Sequence, residues 1–334
     1  MRKALVTGGG GFIGLAVVRK LVELGVEVTV VGRHEYPAAL AAGARCEVGD
    51  IRDGGFLNRV VTDHDTVFHV AAKAGIWGSY ESYHSINVRG TENVIAACRH
   101  NGVKALVYTS TPSVVFDRGD LEGANETMPY GNKLLCHYAA TKIEAEKKLL
   151  AADGSPTRTS AIRPHLVWGP GDTNLIPRLL ARGREGSLRI VGSGRNMVDI
   201  AYIDNVVHAH VLAAENLLSS ASAGGQAFFI SQGEPVNLWG WINELYALLD
   251  IPPVDKRISF RAAYAIGYLM EKVYALLGRE DEPKMTRFLA EQLAKSHWFS
   301  MDKAKNILGY EPLVSTKEGV GALVRSLRVE GGGF

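Results

Sequence analysis

Tyr138 and Lys142 stand four residues apart in "CHYAATKIEAEKKLL" (136–150), so a helix there puts a phenol and an ammonium on one face, a turn apart. That pairing suits proton transfer. A free tyrosine ionises near pH 10 and is a poor acid–base group at neutral pH. A neighbouring ammonium favours the phenolate, and lowering the pKa by about three units takes about 4 kcal/mol of such interaction. A hydroxyl beside the phenol could hold a substrate oxygen during the transfer. Ser110 or Thr111, in "YTSTPSVVF" (108–116), would supply it. Taken alone, such a pair is usually a tyrosine packed on a lysine stem. Tyr130 and Lys133 show the risk, a similar-looking pair at the wrong spacing in a turn-rich stretch.

A second group of residues, "TGGGGFIG" (7–14), closes the first β-rich run. Gly9, Gly11 and Gly14 satisfy G-x-G-x-x-G, whereas Gly8, Gly11 and Gly14 satisfy G-x-x-G-x-x-G. Glycines let the backbone turn sharply and approach a pyrophosphate resting on the N-terminus of the next helix. Between a strand and a helix at the extreme N-terminus, the motif points to a dinucleotide. The second strand ends "VVGRHEYP", with Arg33 where an NAD enzyme usually places a carboxylate. A guanidinium suits a 2′-phosphate through paired hydrogen bonds, so NADP(H) is favoured over NAD(H). The alternative is a solvated Arg33, with Glu35 reaching the ribose. In "GDIRD", Asp50 and Ile51 sit at a strand end where they could border the adenine, although Asp50 reads almost as well as a solvated loop carboxylate.

These groups need a frame, and the chain supplies one. "KALVTG", "EVTVVG", "TVFHVAA", "ALVYTS" and "TSAIRP" read as buried strands separated by helical segments such as 13–24 and "GTENVIAACRHNG". That alternation predicts an α/β fold, a Rossmann-type doubly wound parallel sheet with helices on both faces. The rhythm loosens at "WGPGD". Residues 1–175 therefore read as a dinucleotide-binding domain, to which a helix near 204–217 and the strand "QAFFIS" (226–231) return. Residues 176–203 and 232–315 form a smaller, mostly helical substrate lobe, and 316–334 a C-terminal helix with a frayed "GGGF" tail.

Composition narrows the function. The chain has 334 residues, 46% apolar, with a formal net charge of +2 and no basic block, so nothing indicates a nucleic-acid partner. The first apolar run breaks at glycines and reads as neither signal peptide nor membrane span. Cys46, Cys98 and Cys136 lack metal-ligand spacing and read as reduced thiols of a cytoplasmic protein, with no metal site.

The ordered set (N-terminal glycine turn, strand ending in Thr/Ser, then Tyr-x-x-x-Lys on the next helix) resembles the extended short-chain dehydrogenase/reductase superfamily. Further matches are "GDIRD", "HVAAKAG", "NVRGTENV", "RPHLVWGPGD" and "YIDNVVHA". The resemblance implies that Thr111 is the catalytic hydroxyl, Tyr138 the general acid/base, and Lys142 the residue that contacts the nicotinamide ribose and lowers the tyrosine's pKa. It also implies cofactor contacts from Gly8, Gly11, Phe12, Ile13, Gly14, Arg33, Asp50, Ile51, Ala71, Ala72, Lys73, Asn87, Lys142 and Pro164. Within the superfamily, "AAKAGIWGSYESYHSINVRGTENVIAACR" resembles the 3β-hydroxysteroid dehydrogenase branch, and more closely the bacterial 2-alkyl-3-oxoalkanoate reductases of olefin biosynthesis. The implied reaction is NADPH-dependent reduction of a β-keto acid, with 3β-hydroxysteroid dehydrogenation as the alternative. A nucleotide-sugar epimerase or a non-catalytic NADP-binding sensor ranks below both. Similar epimerases commonly place an arginine before the aspartate of "MVDIAYIDNV"; here Val198 precedes Asp199, although Arg189 or Arg195 could substitute.

The substrate is expected to be small and hydrophobic. Ile76, Trp77, Tyr80 and Tyr83 offer an aromatic lining. Lys73 or His84 could meet a carboxylate, with a solvent-facing role the default for each, and Ser113 and Val167 complete the candidate contacts. The segment 258–278 is apolar nearly all round, with Arg261, Glu271 and Lys272 interrupting it. A buried lobe helix is its leading reading; a lid over a lipidic substrate and an interfacial membrane anchor are the others. By family analogy the chain is expected to form a homodimer through helices near 92–100 and 138–152, and peripheral membrane or pathway-enzyme association is a further expectation.

Overall fold

The computed structural model describes residues 1–330. The strands are β1 (Lys3–Thr7), β2 (Glu27–Gly32), β3 (Arg45–Val48), β4 (Thr66–His69), β5 (Ala105–Thr109), β6 (Arg158–Pro164) and β7 (Gln226–Ile230). They form one sheet in the order β7-β6-β5-β4-β1-β2-β3, every neighbouring pair parallel. The order reverses beside β1, and ligands of open α/β sheets bind outside the strand ends at such a switch point.

Strand periodicity explains the layers. Ala4, Val6, Phe68, Val107, Ile162 and Phe228 pack on one side, against α1 (Phe12–Glu23) and the helix 203–218. Leu5, Val67, Leu106, Ala161 and Ala227 alternate with them and face α2 (Gly90–His100) and α3 (His137–Ala151). With both faces covered, strand interiors are largely apolar, and burying one such Val, Leu or Phe contributes roughly 1.5–3 kcal/mol. The fold is the doubly wound sheet the alternation predicts. Strand β3 ("RCEV") is a solvent-facing edge whose polar residues hide it from pattern reading. The helix 203–218, labelled α4, lies against β5 and β6, and β7 pairs along β6.

The lobe has its own small sheet, in the order 236–237, 197–198, 297–299, 121–124. Its last strand comes from the segment between β5 and α3, so the lobe is stitched to the first half of the chain. Phe229 stacks on Phe299 at 4.2 Å between ring centres, within a cluster that includes Val114, Phe116 and Ile143.

The segment 258–278 corrects an expectation. Its helix, α5 (Phe260–Leu276), buries only Ala263, Gly267 and Glu271. Gly267 lies so close to Thr286 and Arg287 that a Cβ would strike their backbone. The outer face carries Ile266, Leu269, Val273, Leu276 and Leu277 at 41–86% exposure. Spacings of three and four residues line these side chains along one stripe. The leading sequence reading, a buried lobe helix, therefore fails, because apolar composition alone does not say what covers a face. Among the described residues, no helix is long and apolar enough to cross a membrane. Cys98 and Cys136 are buried and free, and Cys46 is half-buried and free on the edge strand. A last helix, α6, runs Thr316–Glu330; the "GGGF" tail expected to fray lies outside the described residues.

Candidate active site

The glycine turn is built by contacts that exclude side chains. Gly8 adopts φ +71°, and a Cβ there would come within 2.8 Å of the Ala71 backbone. A Cβ on Gly14 would run into the Gly8 carbonyl, which accepts from the Gly11 N–H at 3.0 Å. Gly11 caps α1 with no side-chain hydrogen bond and no acid follows in the first turn, leaving the helix N-terminus open to an anion. A cleft of about 670 Å³ begins there. Gly8, Gly11, Phe12, Ile13, Gly14, Arg33, Asp50, Ile51, Ala71, Ala72 and Lys73 all line it, and these residues fit a dinucleotide. Val167, expected on the substrate side, lines this cleft instead, because its two-residue strand pairs with Ala201 beside the sheet's end. Arg33 is exposed and acts electrostatically on Asp50, whose carboxyl is held low chiefly by hydrogen bonding to Arg52, 2.7 Å away.

Asn87 and Pro164 do not touch that cleft directly. Pro164 ends β6 against Ile230. Asn87 is buried and braces the cleft wall, accepting from the Lys73 N–H at 2.7 Å and donating to the Lys73 carbonyl and to Thr141 Oγ1, each at 3.1 Å. Behind it runs a closed chain of hydrogen bonds. Thr91 Oγ1 donates to the Asn87 carbonyl at 2.6 Å, so it accepts from His69 Nε2–H at 2.8 Å. His69 Nδ1 then accepts from Thr7 Oγ1 at 2.8 Å, and Thr7 Oγ1 accepts from the Ala71 N–H at 3.2 Å. Burial, with Lys142 adding to it, pulls His69 down to about 3, which fits this neutral tautomer.

The proposed acid–base group assembles at the ends of β5 and α3. The Thr111 hydroxyl acts on the Tyr138 phenol, whereas Ser110 is buried with its hydroxyl unpartnered. Thr111, not Ser110, is therefore the hydroxyl beside the phenol. The backbone of Ser113 donates to Thr111 Oγ1 at 3.2 Å, fixing that rotamer. Tyr138 is pushed up to about 12 by burial, against the pull of the Thr111 hydroxyl; Cys136 and Tyr83 raise it further. Lys142, expected to lower it, is turned toward the end of β5. Its Nζ instead donates to the Thr109 carbonyl at 2.6 Å and sits 4.0 Å over the Tyr108 ring. Burial pulls Lys142 down to about 7, opposed by Glu146, which shares its helix face and is ion-paired to Arg163. Tyr130, the decoy, caps that pair by donating to Glu146 at 2.8 Å.

A larger cavity, about 1000 Å³, lies beside this group between the 73–82 loop, residues 134–140 and α5. Ile76, Trp77 and Lys73 line it, as do Cys136, His137 and Ala140 around Tyr138. Trp77 is fixed by its indole N–H on the Arg279 carbonyl at 2.9 Å. Tyr83 is buried beneath the loop, donating to the Trp77 carbonyl at 2.9 Å, and burial pushes it up to about 12. His84 points elsewhere, facing Glu144 at 3.7 Å and packing on Tyr80, so it offers no contact to this cavity. Arg189 is turned onto its own loop carbonyls. Among the described residues, no group of three or more His, Cys, Asp or Glu could hold a metal.

Residues 5–261 match the model of the 3-beta hydroxysteroid dehydrogenase/isomerase family. The chain belongs to that family. It is an NAD(P)-dependent oxidoreductase, as its relatives are. It is 49% identical to a 2-alkyl-3-oxoalkanoate reductase of Stenotrophomonas maltophilia, over 97% of this chain and 99% of that one. A protein of the same name from Shewanella oneidensis is 45% identical, over 97% and 86%. The mouse sterol-4-alpha-carboxylate 3-dehydrogenase, decarboxylating, is 33% identical, over 97% and 91%. Among solved structures, MoeE5 in complex with UDP-glucose and NAD aligns over 98% of this chain and 99% of that one, with TM-score 0.75 and 25% identity.

Some site residues escaped sequence reading. Tyr36 lies across Gly10 and Gly32 at the cleft, where either glycine's Cβ would collide with its ring. Its place in "RHEYP" gave no periodic signal. Asp172, which ends "WGPGD", and Asn174 just beyond it also line the cleft. Away from both the cleft and the cavity, His165 and His297, 132 residues apart, share a 2.6 Å hydrogen bond beneath Phe299, a pairing that no local pattern announces.

Proposed function

We propose that the protein reduces the 3-oxo group of a hydrophobic 2-alkyl-3-oxoalkanoate with NADPH. The observation that carries the chemistry is the Thr111 hydroxyl acting on the Tyr138 phenol, flanked by cavity-lining residues and reached from the glycine cleft through Lys73. The named relative at 49% identity supports the substrate class. When bound, the cofactor supplies a hydride to the carbonyl carbon. Tyr138 gives its phenolic proton to the carbonyl oxygen, and Thr111 steadies that oxygen in the transfer. The phenol of the free chain ionises only near 12, so Tyr138 holds its proton ready to donate at neutral pH. Lys142, one helical turn on, carries the positive charge that offsets the phenolate left behind, and Glu146 helps keep that charge in place.

Sterol dehydrogenation is the second reading, favoured by the 33% relative. The two substrates share a feature. A 2-alkyl-3-oxoalkanoate and a sterol-4-carboxylate with oxygen at C3 both hold a carboxylate one carbon away from the reacting carbon. The deciding assay offers the purified protein NADP⁺ with a 2-alkyl-3-hydroxyalkanoic acid, a 3β-hydroxysteroid and a nucleotide sugar. Turnover of the hydroxy acid is expected to exceed the others at least tenfold, and preference for the steroid would replace this reading by the second. For the cofactor, Arg33→Ala should raise the KM for NADPH about tenfold or more and that for NADH little, since a bidentate phosphate contact is lost. Equal effects on both would remove Arg33 from the 2′-phosphate.

A further inference from the structure

Three cations with ordered partners stand around the large cavity, and only one is held by neutral groups. Arg279 is paired with Asp281 at 2.6 Å, and Arg287 with Glu271 at 2.7 Å. Lys73 Nζ instead donates to Ser82 Oγ at 2.8 Å and rests 5.0 Å from the centre of the Tyr83 ring. A hydroxyl and a ring orient an ammonium without neutralising it, so its charge stays available. Its position is also fixed. Asn87 clasps the Lys73 backbone on both sides, and Lys73 alone of the cations borders both the cofactor cleft and the cavity. Tyr83, over which the ammonium sits, acts electrostatically on Tyr138. Lys73 and the residues around Tyr138 (Cys136, His137 and Ala140) line the same cavity.

We propose that Lys73 Nζ anchors the substrate carboxylate and so selects 3-oxo and 3-hydroxy acids over neutral ketones and alcohols. The inference rests on the reading above, which places a carboxylate one carbon from the reacting carbon. That spacing requires the anion to lie along the wall from Tyr138, where Lys73 is the cation without a carboxylate partner. A carboxylate entering a half-buried cavity loses hydration, and a charge-assisted hydrogen bond to an oriented ammonium offsets that loss. An ester or a plain ketone gains nothing there.

The test compares a 2-alkyl-3-hydroxyalkanoic acid with its methyl ester as substrates for oxidation by NADP⁺, using the full chain. In Lys73→Met, kcat/KM for the acid should fall at least tenfold more than for the ester, with the loss carried mainly by KM. Lys73→Arg, which keeps the cation, should retain most of the acid preference. Ser82→Ala, which only loosens the ammonium, should lose two- to fivefold and gives a readout should the methionine variant fail to fold. An unchanged acid-to-ester ratio in Lys73→Met and Ser82→Ala would overturn the proposal, as would a loss confined to the KM of NADP⁺, which would place the ammonium on the cofactor. If the unaltered protein oxidised neither acid nor ester but did oxidise a neutral 3β-hydroxysteroid, the functional reading itself would fail and the anchor with it. That outcome is visible before any variant is made.

Discussion

Replacing Tyr138 by phenylalanine is expected to lower kcat for the oxo acid at least a hundredfold while NADPH still binds. The change removes one oxygen from a side chain whose ring stays packed at the start of α3, so the cleft around Gly8 and Gly14 is untouched. A positioned acid contributes about 10²–10⁴ to such a rate. Thr111 remains but cannot take over, because an aliphatic hydroxyl is a far weaker acid than a phenol. Fluorescence titration with NADPH and single-turnover absorbance would separate binding from chemistry. Unchanged turnover would remove Tyr138 from the mechanism.

Lys142→Met should abolish activity by a similar factor and, at neutral pH, make the protein more stable. Burial holds this ammonium at about 7, against 10.5 unfolded. Between those values the native state binds fewer protons than the unfolded one, so its stability rises with pH across that window. The cost of burying the charge is therefore full below about pH 7 and fades as pH climbs toward 10.5. That cost is on the order of 5 kcal/mol at most, and losing the hydrogen bond to the Thr109 carbonyl takes back about 1 kcal/mol or more. Calorimetry should show the variant melting several degrees higher at pH 6, with the gap closing by pH 10. A variant less stable at pH 6 would mean that the ammonium is already compensated. For the same reason kcat/KM for reduction in the unaltered protein should decline as pH rises through about 7, since Lys142 loses the charge that offsets the phenolate.

Local rules made much of this site readable. The glycine turn has a fixed spacing because Gly14 must clear the Gly8 carbonyl, and Tyr138 and Lys142 share a face because helices repeat every 3.6 residues. Both constraints act within one element, where sequence distance is spatial distance. The sheet was readable for the same reason, through its apolar runs. What stayed hidden depends on chain paths that join distant elements. The lobe sheet is made of two- to four-residue strands drawn from 121–124, 197–198, 236–237 and 297–299, too short for any period to register. The direction of Lys142 has no local signature, because the Thr109 carbonyl, 33 residues back, takes its ammonium. His84 lies outside the cavity because the turn of the 80–84 helix aims it at Glu144.

The stripe on α5 has a practical side. Leu269 is 63% exposed and Leu276 86%, with Ile266 and Val273 between and beside them on the same outer face. Water-facing leucines in a continuous row are adhesive, and monomeric proteins rarely display such a band without consequence for their colloidal behaviour. Concentrated samples should therefore show scattering radii that grow with protein concentration and shrink on addition of mild detergent. Leu269→Lys with Leu276→Lys should flatten that dependence and leave the melting temperature nearly where it was, because neither side chain contributes to the interior.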